Sequence, residues 1–423
     1  MNLKIEINMT DAVNSVSQTK RITDYVREAT PSLFNNPTVF TDQFIPDEFM
    51  FRDAEIEEIV YNLKAFFQNI PPNHIHIYGP PSTGKSHIIR KIVEELNEMA
   101  EAMGLSILYV YTNCHDTTLT GVYTKVAQHF DPSFPNRGVG REDIKNFIKQ
   151  KISGMKIVFI FDEIDKMASS ANQRKPVSTL INTFTRLSED NRFQSQVSIV
   201  VISNSKNIVK EIDSATKSTF QPLFIIFREY NAPEITDILL DRCRRGFKEG
   251  IIEDAIIKHF GANLRSENRD LRTGLKVFLM AGRNAGNNGG DTITYDDIRY
   301  ALDQVEKNII RETIHKYSDQ EVMIIHSLAV ACSEKREPNS KDLFRAYSNT
   351  VKLYGLALKP LTWKHISTIL LPKMEVQGWF IKDLKSMGYG EGVTNIYKMD
   401  NDEISEILKV TRAELKLRCE GFP

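Results

Sequence analysis

The chain has 423 residues, of which 41% are hydrophobic and 26% are charged. This balance is typical of globular proteins and excludes a disordered or fibrous chain, and the length predicts about two to four domains. The 54 Lys and Arg residues nearly balance the 55 Asp and Glu residues, so the net charge is −1. That value excludes a uniformly basic coat protein for nucleic acid but leaves room for a local basic surface.

No stretch approaches the roughly 18 consecutive apolar residues of a membrane span, and the N-terminal residues lack the continuous apolar core of a signal peptide. We therefore expect a cytoplasmic protein without a membrane partner. The cysteines lie far apart and form no CxxC pair, so we expect reduced thiols rather than a zinc site. They are Cys114, Cys243, Cys332 and Cys419.

The first 40 residues are polar and irregular, which predicts an N-terminal arm. Five short apolar runs follow, rich in β-branched and aromatic residues and separated by turn and helix signals. Nearly unbroken runs of this kind are typical of strands buried on both faces of a parallel sheet. The runs are residues 75–78, 107–111, 157–161, 197–202 and 223–227. Because helical stretches such as 86–103 alternate with them, the pattern predicts an α/β layer fold.

After residue 227 the pattern changes to helices, which predicts a small helical domain. Its helices are expected at residues 233–248, 251–261, 270–283 and 295–314. A flexible loop is expected at 284–290, between the last two helices. From about residue 317, three further helices precede a glycine-punctuated hairpin candidate at 378–399.

A glycine-rich loop lies directly after the first predicted strand and directly before a helix. Residues 79–86, GPPSTGKS, match the phosphate-loop pattern GxxxxGK[ST] in the context that the pattern requires. Backbone N–H groups of such a loop, and the N-terminus of its helix, bind phosphate oxygens. Lys85 would reach the β- and γ-phosphates, and Ser86 would bind Mg²⁺. A glycine turn that carries Lys-Ser by chance is the alternative, and the flanking strand and helix count against it.

The third predicted strand ends in two carboxylates, Asp162 and Glu163. We expect Asp162 to hold Mg²⁺ and Glu163 to polarise the attacking water as a general base. An Asp-Glu pair at a strand end is common, but the preceding phosphate loop favours the functional interpretation. Asp165 is expected to be a carboxylate at a helix start.

Two further polar residues fit a hydrolytic nucleotide site. Asn204 follows the fourth strand, where its side chain would bridge the water and the γ-phosphate; a turn asparagine is the alternative. Arg272 lies at the start of a helix in the small domain, and it would touch the γ-phosphate when the domains close. A solvated helix arginine is the alternative there.

The set of motifs resembles AAA+ ATPases, and more closely the archaeal and eukaryotic replication initiators, which are origin-recognition and helicase-loader proteins. The resemblance covers about residues 41–423 and is weakest in its C-terminal part. It rests on residues 45–48, 51–56, 77–81, 110–114, 135–138, 161–165 and 269–272.

The resemblance implies an AAA+ P-loop ATPase with a five-stranded parallel sheet, a helical lid and a C-terminal winged helix. The implied regions are an N-terminal arm at 1–40, an ATPase domain at 41–232, a lid at 233–316 and a winged helix at 317–423. ATP or ADP would bind with Mg²⁺. The expected catalytic residues are Lys85, Asp162, Glu163, Asn204 and Arg272, with Ser86 and Asp162 holding the metal. The expected nucleotide contacts are Ile45, Pro46, Arg52, Gly79, Pro80, Pro81, Ser82, Thr83, Gly84, Lys85, Ser86 and Tyr230.

The C-terminal residues also support a DNA-binding interpretation by themselves. Residues 361–367 open a helix after Pro360, with Ile366, Ile369 and Leu370 expected on an inward face, and this helix is the candidate for a major groove. Residues 351–390 carry six lysines against two acidic residues, a local charge of +4, which favours phosphate contacts. The candidate DNA contacts are Arg137, Lys359, Thr362, Trp363, Lys364, Ser367 and Tyr389. A winged helix that binds protein, or a solvated charged face, is the alternative.

Three departures from the family pattern affect these expectations. Ser82 stands where the family commonly has glycine, which is tolerable if its φ is negative. Glu391 stands near the expected wing tip in place of an arginine, which disfavours DNA contact there. Ala215 takes the place of an arginine that completes a neighbour's site, and Lys217 cannot reproduce its planar fork. The last departure predicts slow hydrolysis that self-assembly stimulates little.

The resemblance implies an ATP-dependent replication initiator that binds duplex origin DNA and helps to load the replicative helicase, with ATP hydrolysis as a conformational switch. Other initiator paralogues and the helicase would be its partners, and it would be associated with the nucleoid. Two alternatives stay open. One is a paralogue that retains ADP and acts as a scaffold bound to DNA or a partner, and the other is an AAA+ ATPase that acts on proteins.

Overall fold

A computed structural model describes the chain in eight stretches, which are residues 32–167, 176–187, 195–208, 212–267, 269–335, 337–354, 359–386 and 393–420. The chain divides into two compact units, Met1–Thr294 and Tyr295–Pro423. Across these stretches, no helix has the length and apolar character needed to cross a membrane.

The described part of the first unit is built on five parallel strands in the order β2-β3-β4-β1-β5. They are β1 (Ile75–Tyr78), β2 (Ile107–Asn113), β3 (Lys156–Asp162), β4 (Gln196–Ser203) and β5 (Leu223–Ile226). The five predicted strands are therefore confirmed. In the register, Tyr78 of β1 pairs with Ser203 of β4, and Asn113 of β2 pairs with Asp162 of β3. The residues that follow these four strands consequently meet at one edge of the sheet, where open α/β sheets bind ligands.

Helices cover both faces of this sheet. They are α1 (Asp53–Leu63), α2 (Lys85–Ala102), α3 (Leu119–Phe130), α4 (Arg141–Lys151), α5 (Pro176–Thr185) and α6 (Ser214–Thr219). Val158 and Ile160 of β3 belong to the core that contains the apolar side chains of α2. Phe159 and Phe161 belong to the opposite core, with α3, α4 and α5. The alternation between two cores explains why β3 is an unbroken apolar run.

Three helices form the lid, which is the part of the first unit after the sheet. They are α7 (Ala232–Gly246), α8 (Asp254–Ser266) and α9 (Leu271–Asn287). α7 begins with a capping box, in which Asn231 and Glu234 each accept a hydrogen bond from the other's backbone N–H. α9 begins after Asp270, whose carboxylate accepts a hydrogen bond from the N–H of Thr273.

The flexible loop expected at 284–290 is wrong in its first half, because α9 continues to Asn287. Just before this stretch, Gly282 permits close packing of α9, which also buries Ala285 and Gly286. A Cβ atom on Gly282 would lie 2.5 Å from the ring of Phe34 and 2.6 Å from the ring of Phe247. Burial of this glycine face stabilises a helical turn that the sequence pattern alone disfavours.

The end of the predicted N-terminal arm is ordered against the lid. The rings of Phe34 and Phe247 stack with their centroids 4.9 Å apart, and the N–H of Asn35 donates to the carbonyl of Gly246 at 2.8 Å. A short 3₁₀ helix, Pro37–Phe40, follows and buries Val39 and Phe40. The remainder of the arm, residues 1–31, lies outside the described residues.

The second unit contains helices α10 (Tyr295–His315), α11 (Asp319–Glu334), α12 (Ser340–Tyr354) and α14 (Asn401–Glu420), with a helical stretch at 363–376 called α13. The predicted hairpin is present as antiparallel strands β6 (Ile381–Ser386) and β7 (Val393–Lys398). The final helix, α14, is an addition to the predicted elements. α10, which the sequence pattern places with the lid, groups with this second unit.

α13 changes its helical period in its middle. The segment Trp363–His365 leads into a π-helical segment, Ile366–Leu370, and then into Leu371–Val376. An i→i+5 turn adds a residue and rotates the side chains that follow. Ile366 is buried as expected, but Ile369 is 53% exposed, so its expected inward position is wrong.

Candidate active site

The loop at residues 79–84 joins β1 to α2 and follows a path that glycine makes possible. A Cβ atom on Gly79 would lie 2.1 Å from the carbonyl oxygen of Phe227, and Gly84, directly before α2, has a φ of +90°. L side chains are disfavoured at both positions. The loop and the N-terminus of α2 thus form a cradle of backbone N–H groups suited to an anion.

Lys85 is the first residue of α2 and is only 7% exposed. Its Nζ donates to the carbonyl oxygens of Gly79 and Pro80, each at 2.6 Å. Burial lowers the pKa of Lys85 to about 8, although the charges of Asp162 and Asp165 oppose this shift. Carbonyl oxygens only partly replace water around an ammonium group, so a phosphate anion would stabilise its charged form.

Asp162 ends β3 and is buried with both carboxylate oxygens in use. Oδ2 accepts a hydrogen bond from the Tyr111 hydroxyl at 2.5 Å, and Oδ1 accepts one from the backbone N–H of Glu163 at 2.8 Å. Burial and the charge of Asp162 raise the pKa of Tyr111, which therefore stays a proton donor. The orientation of the Asp162 carboxylate is fixed by these two bonds.

Glu163 lies one residue further, with a φ of +53°, and its carboxylate is held from two sides. Lys166 donates to Oε1 at 2.6 Å, and the amide of Asn113 donates to Oε2 at 3.2 Å. Burial opposes ionisation of Glu163, but the bonds from Lys166 and Asn113 outweigh it and lower its pKa. Glu163 is therefore ionised, as a general base must be, and it is engaged by two neighbours.

Asn204 directly follows β4, and its backbone N–H donates to Oδ2 of Asp165 at 3.2 Å. Asp165 itself lies in the short 3₁₀ helix Ile164–Lys166. Asn204 lines the same cavity as Lys85 and Asp162.

The lid contributes Arg272, in the first turn of α9, to this cavity. Its guanidinium Nε lies 3.2 Å from Oδ1 of Asp42. The charge of Arg272 is near enough to contribute to the lowered pKa of Lys85. A cation of the lid thus lines the same cavity as the phosphate loop.

Ser82 does not meet the condition under which a residue other than glycine is readily tolerated there, a negative φ. Its φ is +61°, in the left-handed region. Its hydroxyl donates a hydrogen bond to Oδ2 of Asp270 in the lid. A local polar contact of this kind helps a residue other than glycine to hold such a backbone conformation.

The cavity wall also includes apolar and aromatic residues, Phe44, Pro46 and Tyr230. Arg242 of α7 stacks on Phe44, with its guanidinium carbon 4.5 Å from the ring centroid. Its Nε and Nη1 are buried and donate to no acceptor among the described residues. A flat, partly apolar wall with nearby donors is suited to an aromatic heterocycle.

Most of the predicted nucleotide contacts line this one cavity. They are Pro46, Pro81, Ser82, Thr83, Gly84, Lys85, Ser86 and Tyr230, together with the catalytic candidates Asp162, Glu163, Asn204 and Arg272. Ile45 and Arg52 lie outside the cavity wall. Arg52 is fully buried behind Tyr230, with its guanidinium carbon 4.0 Å from that ring, and it donates to Glu55 at 2.7 Å. Gly79 and Pro80 contribute the carbonyl oxygens that hold Lys85.

The residues missed by the sequence analysis hold or flank the predicted ones. They are Asp42, Phe44, Tyr111, Asn113, Lys166, Arg242 and Asp270. Tyr111 and Asn113 could have been found from the pairing of β2 with β3, since adjacent parallel strands end at the same edge. No local signal marks Asp42 or Arg242, which reach the cavity from segments that carry no motif.

In the second unit, five predicted DNA contacts lie at or near the start of α13. They are Lys359, Thr362, Trp363, Lys364 and Ser367. Lys359 and Lys364 are exposed and form no ion pair with a described residue. The Thr362 hydroxyl accepts a hydrogen bond from the N–H of His365 at 3.4 Å, and Trp363 packs edge-on against Phe344.

Arg137 is exposed in the loop between α3 and α4 of the first unit. Tyr389 and Glu391 lie outside the described residues.

Two lysines of the predicted basic patch are paired with acidic residues. Lys373 forms an ion pair with Glu321, and Lys385 forms one with Glu337 at 2.5 Å. The other four lysines of the patch are exposed and form no ion pair with a described residue, and two of them, Lys359 and Lys364, lie at or near the start of α13.

The chain was compared with known proteins and families. Residues 75–227 match the ATPase family associated with various cellular activities (AAA), and residues 236–303 match the Cdc6 AAA+ ATPase-type lid domain. The "ORC1-type DNA replication protein" of Desulfurococcus amylolyticus is 25% identical over 380 residues, covering 89% of this chain and 93% of that protein. A protein of the same name from Methanothermobacter thermautotrophicus is 28% identical over 367 residues, covering 86% of this chain and 93% of that protein.

Among solved structures, the Aeropyrum pernix ORC1 protein in complex with DNA matches with a TM-score of 0.77 at 20% identity, covering 91% of this chain and 98% of that chain. The Aeropyrum pernix ORC2 protein, solved as ADPNP-ADP complexes, matches with a TM-score of 0.62 at 18% identity, covering 92% and 100%. These two likenesses show the fold. Together with the AAA and Cdc6-type lid matches, the site geometry identifies the chain as an ATPase that binds nucleotide. Residues 75–227 and 236–303 are thus an AAA ATPase domain with a Cdc6-type lid, in a chain that is similar over most of its length to the ORC1-type DNA replication proteins.

Proposed function

We propose that this protein is an ATP-dependent DNA replication initiator that binds duplex origin DNA and helps to load the replicative helicase. ATP hydrolysis would act as a conformational switch, in the cytoplasm and in contact with other initiator paralogues. One observation carries the proposal: the phosphate loop, the two strand-end carboxylates and Arg272 of the lid line a single cavity. The names of the curated relatives support the replication role, and the DNA-bound structure of one relative supports the DNA partner.

The residues of the phosphate loop would hold the nucleotide. The backbone N–H groups of residues 82–86, at the end of the loop and the N-terminus of α2, would bind the β-phosphate, and Lys85 would turn from the loop carbonyls to the phosphates. The part of the wall with Phe44, Pro46 and Tyr230 would accommodate the base. Arg242 offers two unpaired donors beside it.

Ser86 and Asp162 are the proposed Mg²⁺ ligands. A hydroxyl and a carboxylate are hard oxygen donors, and no cluster of three His, Cys, Asp or Glu residues suited to a metal occurs in the described part of the chain. This fits Mg²⁺, which is commonly held by one or two protein oxygens together with substrate phosphates. The bound ion would neutralise charge on the β- and γ-phosphates. Tyr111 keeps the Asp162 carboxylate oriented for this role.

Glu163 is the proposed general base for the attacking water. It would first exchange its bonds from Lys166 and Asn113 for one to that water, so these two bonds would slow hydrolysis. Asn204 would orient the water against the γ-phosphate. Arg272 would bind the γ-phosphate of ATP, which ADP lacks, so the position of the lid would depend on which nucleotide is bound.

The second unit is the proposed DNA-binding part, with α13 as the helix that enters a major groove. Three helices followed by a hairpin are the element order of a winged helix. Lys359 and Lys364 would contact phosphates, and Thr362 and Ser367 lie where α13 presents its first turns. Arg137 is a proposed additional contact from the first unit.

A second candidate is a paralogue that retains ADP and serves as a scaffold on DNA. It is favoured by α6, where Ala215 and Lys217 are exposed and an arginine able to complete a neighbour's site is missing. Slow turnover with intact nucleotide binding is expected of this candidate.

The test is duplex binding as a function of salt, with ADP or a non-hydrolysable ATP analogue bound. We expect a linear loss of log affinity with log salt, preference for one sequence, and a change between the two nucleotides. Replacing Lys359 and Lys364 together by Ala should reduce the slope by about 2. The matched control is Lys409→Ala on α14, an exposed lysine far along the chain from α13, which should leave the slope unchanged.

Two nucleotide-site variants complete the experiment. Lys85→Ala should abolish nucleotide binding, and Glu163→Gln should bind ATP without hydrolysing it. Absence of duplex binding at ~100 mM salt in every nucleotide state would contradict the initiator proposal and assign the second unit to a protein partner. Normal turnover by Glu163→Gln would contradict the assignment of the base.

A further inference from the structure

The phosphate loop and the lid are joined by one hydrogen bond between polar side chains, from the Ser82 hydroxyl to Oδ2 of Asp270. We propose that this bond is a latch that holds the first turn of α9, and with it Arg272, over the phosphate loop. Ser82 is then a positioning residue for the γ-phosphate contact. This inference rests on the role proposed above for Arg272.

Asp270 is placed to transmit the contact because each of its oxygens serves a different segment. Oδ1 caps α9 by accepting hydrogen bonds from the N–H of Thr273 at 2.8 Å and from its hydroxyl at 2.9 Å. Oδ2 accepts the bond from Ser82. One carboxylate therefore ties the phosphate loop to the helix start that carries Arg272, two residues further along.

The backbone of Ser82 supports a role for its hydroxyl. Its φ of +61° is a conformation that glycine adopts freely and serine adopts at a cost. A loop selected only for its shape would have glycine at this position. Serine brings a donor to the lid, and its hydroxyl lies within the cavity wall next to Lys85.

The consequence concerns nucleotide exchange. A nucleotide held between the phosphate loop and α9 leaves only when the lid opens, and the Ser82–Asp270 bond must break during that opening. The latch therefore slows ADP release. It also keeps Arg272 near the phosphate loop when no nucleotide is bound. A hydrogen bond to a carboxylate is strong enough to change the dissociation rate constant of ADP about tenfold.

Two substitutions distinguish the effect of the Ser82 hydroxyl from the effect of its backbone conformation. Ser82→Ala removes the hydroxyl and keeps an L side chain at positive φ, whereas Ser82→Gly removes the hydroxyl and relieves that conformation. Because both lack the donor, we expect both to release fluorescent ADP about ten times faster than the parent protein. The matched control is Thr273→Val, which deletes another hydrogen bond to Asp270 without touching the phosphate loop and should release ADP at the parent rate.

The position of the lid is measured separately, without nucleotide. Spin labels on Glu57→Cys of α1 and Lys258→Cys of α8, both exposed positions, report the distance between the sheet domain and the lid in the full chain carrying Cys419→Ser. We expect one narrow distance distribution in the parent protein and in Thr273→Val. Ser82→Ala and Ser82→Gly should both add a population at longer distance.

Unchanged distances and ADP release in both Ser82 variants would overturn the latch. A change in Ser82→Gly alone would also overturn it, because the cause would then be the backbone and not the hydroxyl. These outcomes are distinct from failure of the proposed function. The distance measurement needs neither nucleotide nor DNA, and an absence of DNA binding would leave it unaffected.

Discussion

The pKa of Lys85 predicts how nucleotide affinity depends on pH. Burial lowers this pKa from 10.5 to about 8, a penalty of about 3 kcal/mol on the charged form. Phosphate oxygens at the ammonium group would supply the missing anion, so binding should return the pKa of Lys85 to its ordinary range or above. The bound state then holds a proton that the free protein loses above pH 8.

The sign of the effect follows from this difference. Below pH 8, Lys85 is protonated with and without nucleotide, and affinity is independent of its titration. Above pH 8, binding must take up a proton, so affinity falls as pH rises. Between pH 7.5 and pH 9.5, a shift from about 8 to about 10.5 weakens ADP binding about 20-fold.

Isothermal titration calorimetry with ADP measures both the affinity and the proton count. At pH 9, repeating the titration in buffers of different ionisation enthalpy should show an uptake of about 0.9 proton per ADP. The control is Lys85→Arg, whose guanidinium stays charged throughout this range and should bind more weakly but with little pH dependence. Equal affinity of the parent protein at pH 7.5 and 9.5, with no proton uptake, would refute the reasoning.

Two further predictions concern turnover and stability. Lys166→Met should raise the rate of ATP hydrolysis about threefold, because it frees Glu163 from a partly exposed ion pair. The control is Lys91→Met, which breaks a similar pair on the outer face of α2 and should leave the rate unchanged. A lower rate would show that Lys166 assists the reaction. Burial lowers the pKa of His76 and of His326 to about 4, so the folded chain binds fewer protons than the unfolded chain below pH 6.5. The free energy of unfolding, measured by urea titration, should therefore fall by about 2 kcal/mol for each histidine between pH 7.5 and pH 5. In His326→Phe, the loss over the same pH range should be smaller by about 2 kcal/mol. Equal stability at both pH values would contradict the burial argument.

The elements that the sequence predicts well are those whose signals are local. The phosphate loop is recognisable because a single stretch of eight residues must contain the turn, the donors and the lysine. The strands are recognisable because β1 and β3 are covered on both faces and consequently read as unbroken apolar runs. Asp162 and Glu163 are found for the same reason, since they stand at the end of such a run.

The contacts that control these groups join distant parts of the chain. Ser82 and Asp270 are 188 residues apart, and Asp42 reaches Arg272 from the segment before α1. Residues 284–290 read as a flexible loop because glycine and asparagine are unfavourable in helices. The helix nevertheless extends to Asn287, and just before this stretch Gly282 packs against the ring of Phe34, more than 200 residues earlier, in space that a Cβ would fill. No periodicity or spacing within either segment contains that information.

This division has a physical meaning for the enzyme. The groups proposed to perform hydrolysis, Lys85, Asp162 and Glu163, lie at the end of the phosphate loop and at or directly after the end of β3, where the sheet sets their geometry. Other groups reach this site from elsewhere: Asn113 of β2 donates to Glu163, and Asp270 and Arg272 come from the lid. A family pattern read from one sequence therefore identifies the reaction more readily than its rate. At Ser82, where the sequence resemblance leads us to expect glycine, the positive φ and the bond to Asp270 support the proposal that this residue controls the lid.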